Sequence, residues 1–235
     1  MSGAKIKADD GAMARRNVTP VIEDYLKAIY SLRQRETQVR TVALADHLKV
    51  KPPSVTAMLK TLADLKLIAY EPYRGVELTN KGEQIALEII RHHRLIELYL
   101  VEALGFSWDE VHEEAEILEH FISEKLEAKI AAYLGDPTHD PHGDPIPTLE
   151  GALLGVTESE KNSLSDVSLQ TPVSVVRVCD QRAERLRYLA GLGIVPGARV
   201  QVVASEPFDG PVTIRVDESV HALDRRLARS ILVKE

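Results

Sequence analysis

The sequence has a single cysteine, Cys179, which rules out an internal disulfide. Standing alone inside a valine-rich run, that cysteine reads as a core residue rather than a reactive thiol. No apolar run approaches the length needed to span a bilayer, so a soluble chain with no membrane partner is expected. Residues 1–17 are small, polar and mildly basic and lack an apolar stretch, so a flexible tail is expected there instead of a signal peptide. The cytoplasm is the simplest compartment. Also missing are the H-E-x-x-H spacing of zinc hydrolases and any evident nucleophile, which leaves a hydrolytic enzyme without its parts. No enzyme is expected.

What is present is an uneven distribution of charge. The 235 residues carry 29 basic against 36 acidic side chains, a net charge of −7. Residues 1–78 hold 13 basic and 9 acidic groups, residues 79–135 hold 5 and 12, and residues 136–235 hold 11 and 15. A mildly basic first part followed by a strongly acidic second part suits a DNA-facing module joined to a cation-facing one.

Residues 18–36 predict a first helix: Thr19 caps it, Pro20 takes the favoured first position, and Ile22, Tyr25, Leu26, Ile29 and Leu32 form its apolar stripe. Asp24 falls in its first turn, where a carboxylate meets the helix dipole favourably. A short helix from Thr41 to Leu48 is interrupted by Val50-Lys51-Pro52-Pro53, and a second runs from Ser54 to Leu65 with Val55, Met58, Leu59, Leu62 and Leu65 inward. Its N-terminal turn presents small residues, Ser54, Thr56 and Ala57, beside Lys51, Pro53 and Lys60. That is the surface a helix-turn-helix lays into the major groove. Residues 67–78 read as a hairpin with Arg74-Gly75 at its tip, and Arg74 on such a wing would approach the DNA backbone or minor groove. A plain three-helix cap with a hairpin is the alternative.

Thr79-Asn80 opens a long helix to about Leu104. His93 and Glu97 fall on the same side of its wheel as Ile89, Ile90, Leu100 and Leu104. Two ionisable groups one turn apart on an apolar face need partners, because each buried unpaired costs roughly 1–3 kcal/mol. They pair with each other or share a third partner. After a Gly105–Trp108 turn, residues 108–134 predict an acidic helix packed antiparallel to the first. On it His112, Glu116, Glu119 and His120 form one strip at the shoulder of the Val111, Ala115, Leu118, Ile122 and Leu126 stripe. Oxygen and nitrogen donors half sheltered from water suit hard or borderline divalent cations. A solvated acidic helix with two incidental histidines is the plainer alternative. Ile117 and Phe121 lie off the main stripe and offer a second contact surface, such as a dimer interface.

Residues 136–172 read as a poorly ordered Pro/Gly-rich linker, with His139 and His142 as surface loop residues and metal scavenging as their alternative role. Residues 173–235 turn to β: strands at 173–178, 198–203 and 211–216, a short helix at 183–190, and a closing segment at 227–233. Short strands with one brief helix suggest a small SH3-like barrel. The expected division is thus a tail (1–17), a winged helix-turn-helix (18–78), a helical dimerisation and metal-binding domain (79–135), the linker, and an SH3-like domain (173–235). The fold is mostly α with a small β part.

In this order of parts the chain resembles the metal-dependent transcriptional repressors that include the diphtheria toxin repressor and the manganese transport regulators. The motifs carrying the likeness are Thr19-Pro20 with Glu23-Asp24-Tyr25-Leu26, Pro53-Ser54-Val55-Thr56, Tyr73-Arg74-Gly75-Val76, Arg91-His92-His93-Arg94-Leu95 with Glu97, and His112-Glu113-Glu114-Ala115-Glu116 with Glu119-His120. The last third resembles the SH3-like domain of the longer, iron-responsive branch. By position, the resemblance implies one metal site at Asp24, Glu116, Glu119 and His120 and another at His93, Glu97 and His112. Iron-responsive members carry methionine where this chain has Asp24 and cysteine where it has Glu116. Two hard carboxylates in their place move the expected preference to Mn²⁺, with Fe²⁺ next. The small manganese sensors carry a second glutamate on the first helix where this chain has Lys27, which departs from their binuclear arrangement. Glu184 is the nearest counterpart of the ligands that the iron branch draws from its SH3-like domain.

The resemblance implies a metal-activated homodimer that binds a palindromic operator in double-stranded DNA and represses metal-uptake genes. Two other readings compete: a winged-helix regulator of an organic ligand, with a purely structural acidic cluster, and a protein-interaction role for the SH3-like domain alone.

Overall fold

The computed structural model describes residues 18–34, 38–71, 75–153 and 162–235. The chain divides into two compact units, residues 1–90 and 91–235.

The first unit opens on α1 (Pro20–Arg33), where the Thr19 side chain accepts from the Ile22 amide and Pro20 occupies the first turn. Next come α2 (Thr41–His47) and α3 (Pro52–Asp64), separated by a turn in which Lys49 takes a left-handed φ of 54°. The two prolines expected to interrupt the chain instead form the first turn of α3, where a missing amide hydrogen costs nothing. The antiparallel strands β1 (Ile68–Glu71) and β2 (Gly75–Leu78) pair in register from Ile68↔Leu78 to Glu71↔Gly75, and Val39 bridges Val76. Leu26, Ile29, Leu44, Leu59, Leu62 and Leu67 fill the core of this winged helix-turn-helix. Arg74, expected at the wing tip, lies outside the described residues.

Helix α4 (Asn80–Leu104) continues from the first unit into the second. The acidic helix expected at 108–134 is two helices, α5 (Val111–Leu118) and α6 (Glu124–Tyr133). Ser123 supplies the break: its side chain caps α6 by accepting from the Leu126 amide. Val111 and Ala115 are buried as expected, but Leu118 and Leu126 are exposed, together with Ile117 and Phe121. The interruption at 119–123 rotates α6, so the stripe does not continue across it.

Residues 136–153, expected to be poorly ordered, form a packed strap in which Ile146 and His142 are buried. The strap lies against the β-domain: the Val178 amide donates to the His142 carbonyl, and a Cβ on Gly143 (φ +86°) would fall 2.0 Å from the Val176 carbonyl oxygen.

The β-domain is a six-stranded sheet in the order β3-β8-β4-β5-β6-β7. Its strands are β3 (Asn162–Ser163), β4 (Pro172–Val178), β5 (Arg199–Ser205), β6 (Val212–Val216), β7 (Ser219–Leu223) and β8 (Ile231–Lys234). Helix α7 (Ala183–Gly191) joins β4 to β5, and α8 (Arg225–Arg229) joins β7 to β8. Strand β7, absent from the expected set, pairs with β6 through a tight turn in which Asp217 takes a φ of 50°. Among the described residues no helix is long and apolar enough to cross a membrane.

Gly82 tests the packing of the first unit. An alanine in a helix ordinarily gains about 1 kcal/mol over glycine. Here its Cβ would fall 2.0 Å from the Leu67 carbonyl oxygen, which also accepts from the amide and hydroxyl of Thr79. Backbone must move, and forced overpacking costs about 1–3 kcal/mol. Gly82→Ala is therefore expected to lower the urea midpoint rather than raise it.

Candidate metal centre

The centre is built on the apolar face of α4. The periodicity that buries Leu95, Ile96 and Leu100 also turns His93 and Glu97 inward, and both are buried. His93 Nε2 lies 2.9 Å from Glu97 Oε1, so the two pair with each other. They also share a partner. His112, on the first turn of α5, brings its Nδ1 to 3.1 Å from His93 Nε2 and 3.2 Å from Glu97 Oε1. Three donor atoms thus close a triangle with edges of 2.9–3.2 Å. One proton cannot serve two imidazole nitrogens and a carboxylate oxygen at once, whereas a cation accepts lone pairs from all three.

The other ring nitrogen of His93 faces a second group. His93 Nδ1 is 2.5 Å from Glu119 Oε2 and 4.0 Å from Glu116 Oε1. Glu119 is fully buried, and its second oxygen lies 3.6 Å from His120 Nε2. Glu119 and His120 were expected on a helix; they sit in the turn after α5, beyond its last residue, Leu118. Glu116 is more exposed and stands 3.8 Å from His112 Nε2.

A third group was not anticipated. His142, expected on a surface loop, is fully buried, and with Asp140 it faces the far side of Glu97. His142 Nε2 is 2.7 Å from the Trp108 carbonyl, which can only accept, so Nε2 donates. His142 Nδ1 is then left 3.5 Å from Glu97 Oε2, and neither atom has a hydrogen-bond partner. The imidazole stacks on the Trp108 ring, with centroids 5.7 Å apart. Asp140 accepts from the His142 and Asp144 amides. The signal that could have found these residues is the Asp140-Pro-His142 spacing within a run of turn residues. Its burial comes from contact with the β-domain.

The electrostatics of the third group show a shortage of positive charge. Burial, with Asp144 and Glu97 nearby, pushes the Asp140 carboxyl up to about 7. Burial also opposes a charged His142, but Glu97 and Asp140 outweigh it and raise its pKa. Burial disfavours the Glu97 carboxylate too, yet His93, His112 and His142 together hold it well below the usual range. A site that raises the pKa of both Asp140 and His142, and holds Glu97 Oε2 and His142 Nδ1 3.5 Å apart without a hydrogen bond, has the donor set and charge deficit that a divalent cation satisfies.

The remaining expected residues fall as follows. Asp24 is half-buried on α1 in the first unit. Glu184 is exposed in the first turn of α7 and belongs to none of the donor clusters among the described residues. Lys51, Pro53, Ser54, Ala57 and Lys60 are exposed along the start of α3, and Thr56 is half-buried with its hydroxyl donating to the Pro52 carbonyl.

A winged helix-turn-helix, a buried carboxylate–imidazole centre and an SH3-like domain define a metal-responsive DNA-binding regulator. Comparison with known proteins makes the assignment specific. Residues 17–76 match the model of the iron dependent repressor N-terminal DNA binding domain. Residues 79–148 match the iron dependent repressor metal binding and dimerisation domain, and residues 162–235 match the FeoA domain. The iron-dependent repressor IdeR of Mycobacterium leprae (strain TN) is 32% identical over 223 residues, covering 91% of this chain and 96% of that protein. A manganese-dependent transcriptional repressor in complex with manganese superposes with a TM-score of 0.83 at 35% identity, covering 91% of this chain and 99% of the other. The repressor ScaR with bound Zn²⁺ superposes at 0.76 with 31% identity, covering 91% and 99%. The chain belongs to the iron-dependent repressor family of metal-dependent transcriptional repressors.

The sign of the Asp140 effect is open to test in chelator-treated protein. A carboxyl whose pKa rises from 3.8 unfolded to about 7 folded costs no stability below 3.8. The penalty grows from there to pH 7 and is constant above it. Asp140→Asn keeps the oxygen that accepts from the two amides and removes the titration. The variant is expected to melt higher than the parent at pH 8, with the difference shrinking by pH 5. A difference independent of pH would contradict the buried-carboxyl assignment.

Proposed function

We propose that this chain is a manganese-activated dimeric repressor of metal-homeostasis genes, with Fe²⁺ as second activator, acting on a two-fold symmetric operator. The observation that carries the reading is the triangle of His93 Nε2, Glu97 Oε1 and His112 Nδ1, backed by the unpaired Glu97 Oε2 and His142 Nδ1. A bound divalent cation supplies the positive charge that lets these carboxylates remain ionised side by side. The donors are all oxygen and nitrogen, which favours Mn²⁺ and then Fe²⁺ over thiolate-seeking ions. Glu116 and Asp24 strengthen that preference, since iron-responsive relatives carry softer residues at both positions. The manganese named for one structural relative agrees with it.

His93, Glu97 and His112 form one site, and Asp140 and His142 adjoin it through Glu97. Glu116, Glu119 and His120 form another, which Asp24 completes from the first unit. Ile117, Leu118 and Phe121, exposed side by side on and after α5, supply the dimer contact. In the dimer the two α3 helices, presenting Lys51, Pro53, Ser54, Thr56, Ala57 and Lys60, enter successive major grooves about one helical turn apart.

The test begins by selecting an operator from a random duplex library with the Mn²⁺-loaded parent. Binding to it is then measured at buffered free Mn²⁺, Fe²⁺ and Zn²⁺. At physiological free concentrations Mn²⁺, and then Fe²⁺, are expected to activate, even though Zn²⁺ binds nitrogen and oxygen sites more tightly at equal concentration. Glu119→Ala and His120→Ala are expected to lose more than the roughly 10–100-fold that removal of a supporting residue costs, with circular dichroism unchanged. Equal DNA binding with and without metal would overturn the reading and favour an organic effector.

A further inference from the structure

The turn that carries Glu119 and His120 is held from behind by a network with no ligand in it. The last four carbonyls of a helix lack intrahelical partners, and when buried they must find donors elsewhere. Glu119 stands at the C-cap of α5 and is fully buried. Its carbonyl is met by His92 Nδ1 at 3.1 Å, from a residue 27 positions earlier on α4. A carbonyl only accepts, so His92 Nδ1 carries the proton. The other ring nitrogen lies 3.2 Å from Glu127 Oε2 on α6. Glu127 is held in turn by Arg91, whose Nε donates to Oε1 at 2.5 Å and whose guanidinium also donates to the Pro147 carbonyl at 2.7 Å. The network therefore links α4, α6 and the strap, and grips the turn between α5 and α6 at one backbone atom.

Stability alone does not explain it. His92 and Glu127 are both buried, and desolvating such groups consumes most of what their pairing returns. Leucine-like residues would fill the same space and avoid that desolvation, but they would leave the buried Glu119 carbonyl without its donor. What the polar chain adds is direction: a hydrogen bond at Glu119 O fixes the peptide from which both donor side chains leave. We infer that His92 and Glu127 are positioning residues for Glu119 and His120, setting the affinity of that pair for a divalent cation without touching it. The inference rests on the reading of Glu119 and His120 as ligands. It matches the general dependence of metal sites on hydrogen-bonded supports behind the ligands.

The test uses full-length, chelator-treated protein titrated with Mn²⁺ alone. Free Mn²⁺ is followed by electron paramagnetic resonance, and Trp108 fluorescence reports separately on the His142 side. Asparagine places its amide nitrogen where imidazole Nδ1 stood, and glutamine places it nearer Nε2. His92→Gln is expected to weaken Mn²⁺ binding roughly 10–100-fold at the Glu119/His120 pair, and Glu127→Ala, which leaves the His92 bond to Glu119 O in place, to weaken it less. His92→Asn stays within about threefold of the parent, and the Trp108 midpoint does not move. Equal affinities for the His92→Asn and His92→Gln variants would overturn the inference. So would equal weakening at both reporters, which marks general loosening. A parent that takes up no Mn²⁺ at all would overturn the underlying reading instead.

Discussion

The second unit depends on how one buried carboxylate is compensated. Glu97 has no contact with solvent, and an uncompensated charge at such a depth costs several kcal/mol. Its two oxygens look in opposite directions. Oε1 meets imidazoles of α4 and α5, at 2.9 and 3.2 Å, and Oε2 looks toward the strap, where His142 stops at 3.5 Å. Three elements distant in sequence are thereby committed to one point. These imidazoles satisfy the carboxylate only in part, because His142 stops short of a hydrogen bond to Oε2. The helical region is thus assembled around a deficit of positive charge, and burial, with the Asp144 and Glu97 carboxylates nearby, pushes the Asp140 carboxyl up to about 7.

The same deficit gives meaning to the continuity of α4. Its first turns pack in the DNA-binding unit, with Ala86, Leu87 and Ile90 in that core. Its later turns carry His93 and Glu97. A rise of about 1.5 Å per residue makes the helix a stiff element roughly 37 Å long. Residues of the DNA-binding core and residues of the candidate centre therefore lie on one continuous helix.

Much of this was legible in the sequence, for identifiable reasons. The wheel of α4 put His93 and Glu97 on an apolar face, and Thr19 with Pro20 marked the start of α1 because cap chemistry is local. What failed was either a local signal open to two readings or a non-local contact. The acidic helix looked continuous since Glu119-His120-Phe121 contains neither proline nor glycine, and the cap at Ser123 was hidden in an unbroken apolar period. The start of α3 was placed two residues late because Pro52 and Pro53 serve equally as breakers and as a first turn. His142 looked like a loop residue because its neighbours are turn formers. Its burial depends on Val178, 36 positions later, whose amide holds the His142 carbonyl. No periodicity within the strap could have announced that contact.

The strap also changes the role of the β-domain. Glu184, the residue of that domain nearest to a ligand by resemblance, is exposed and apart from the donor clusters. The domain acts instead through what it holds. Asp144 on the strap accepts from Arg94 of α4 at 3.4 Å, from Arg177 of β4 at 3.3 Å and from Gln181 at 2.7 Å. The Gly143 Cα packs so closely on the Val176 carbonyl that no side chain fits. Asp140 and His142 lie on the same few residues and cannot shift unless β4 shifts as well. The β-domain therefore adjoins the candidate centre as the wall against which the residues carrying Asp140 and His142 pack.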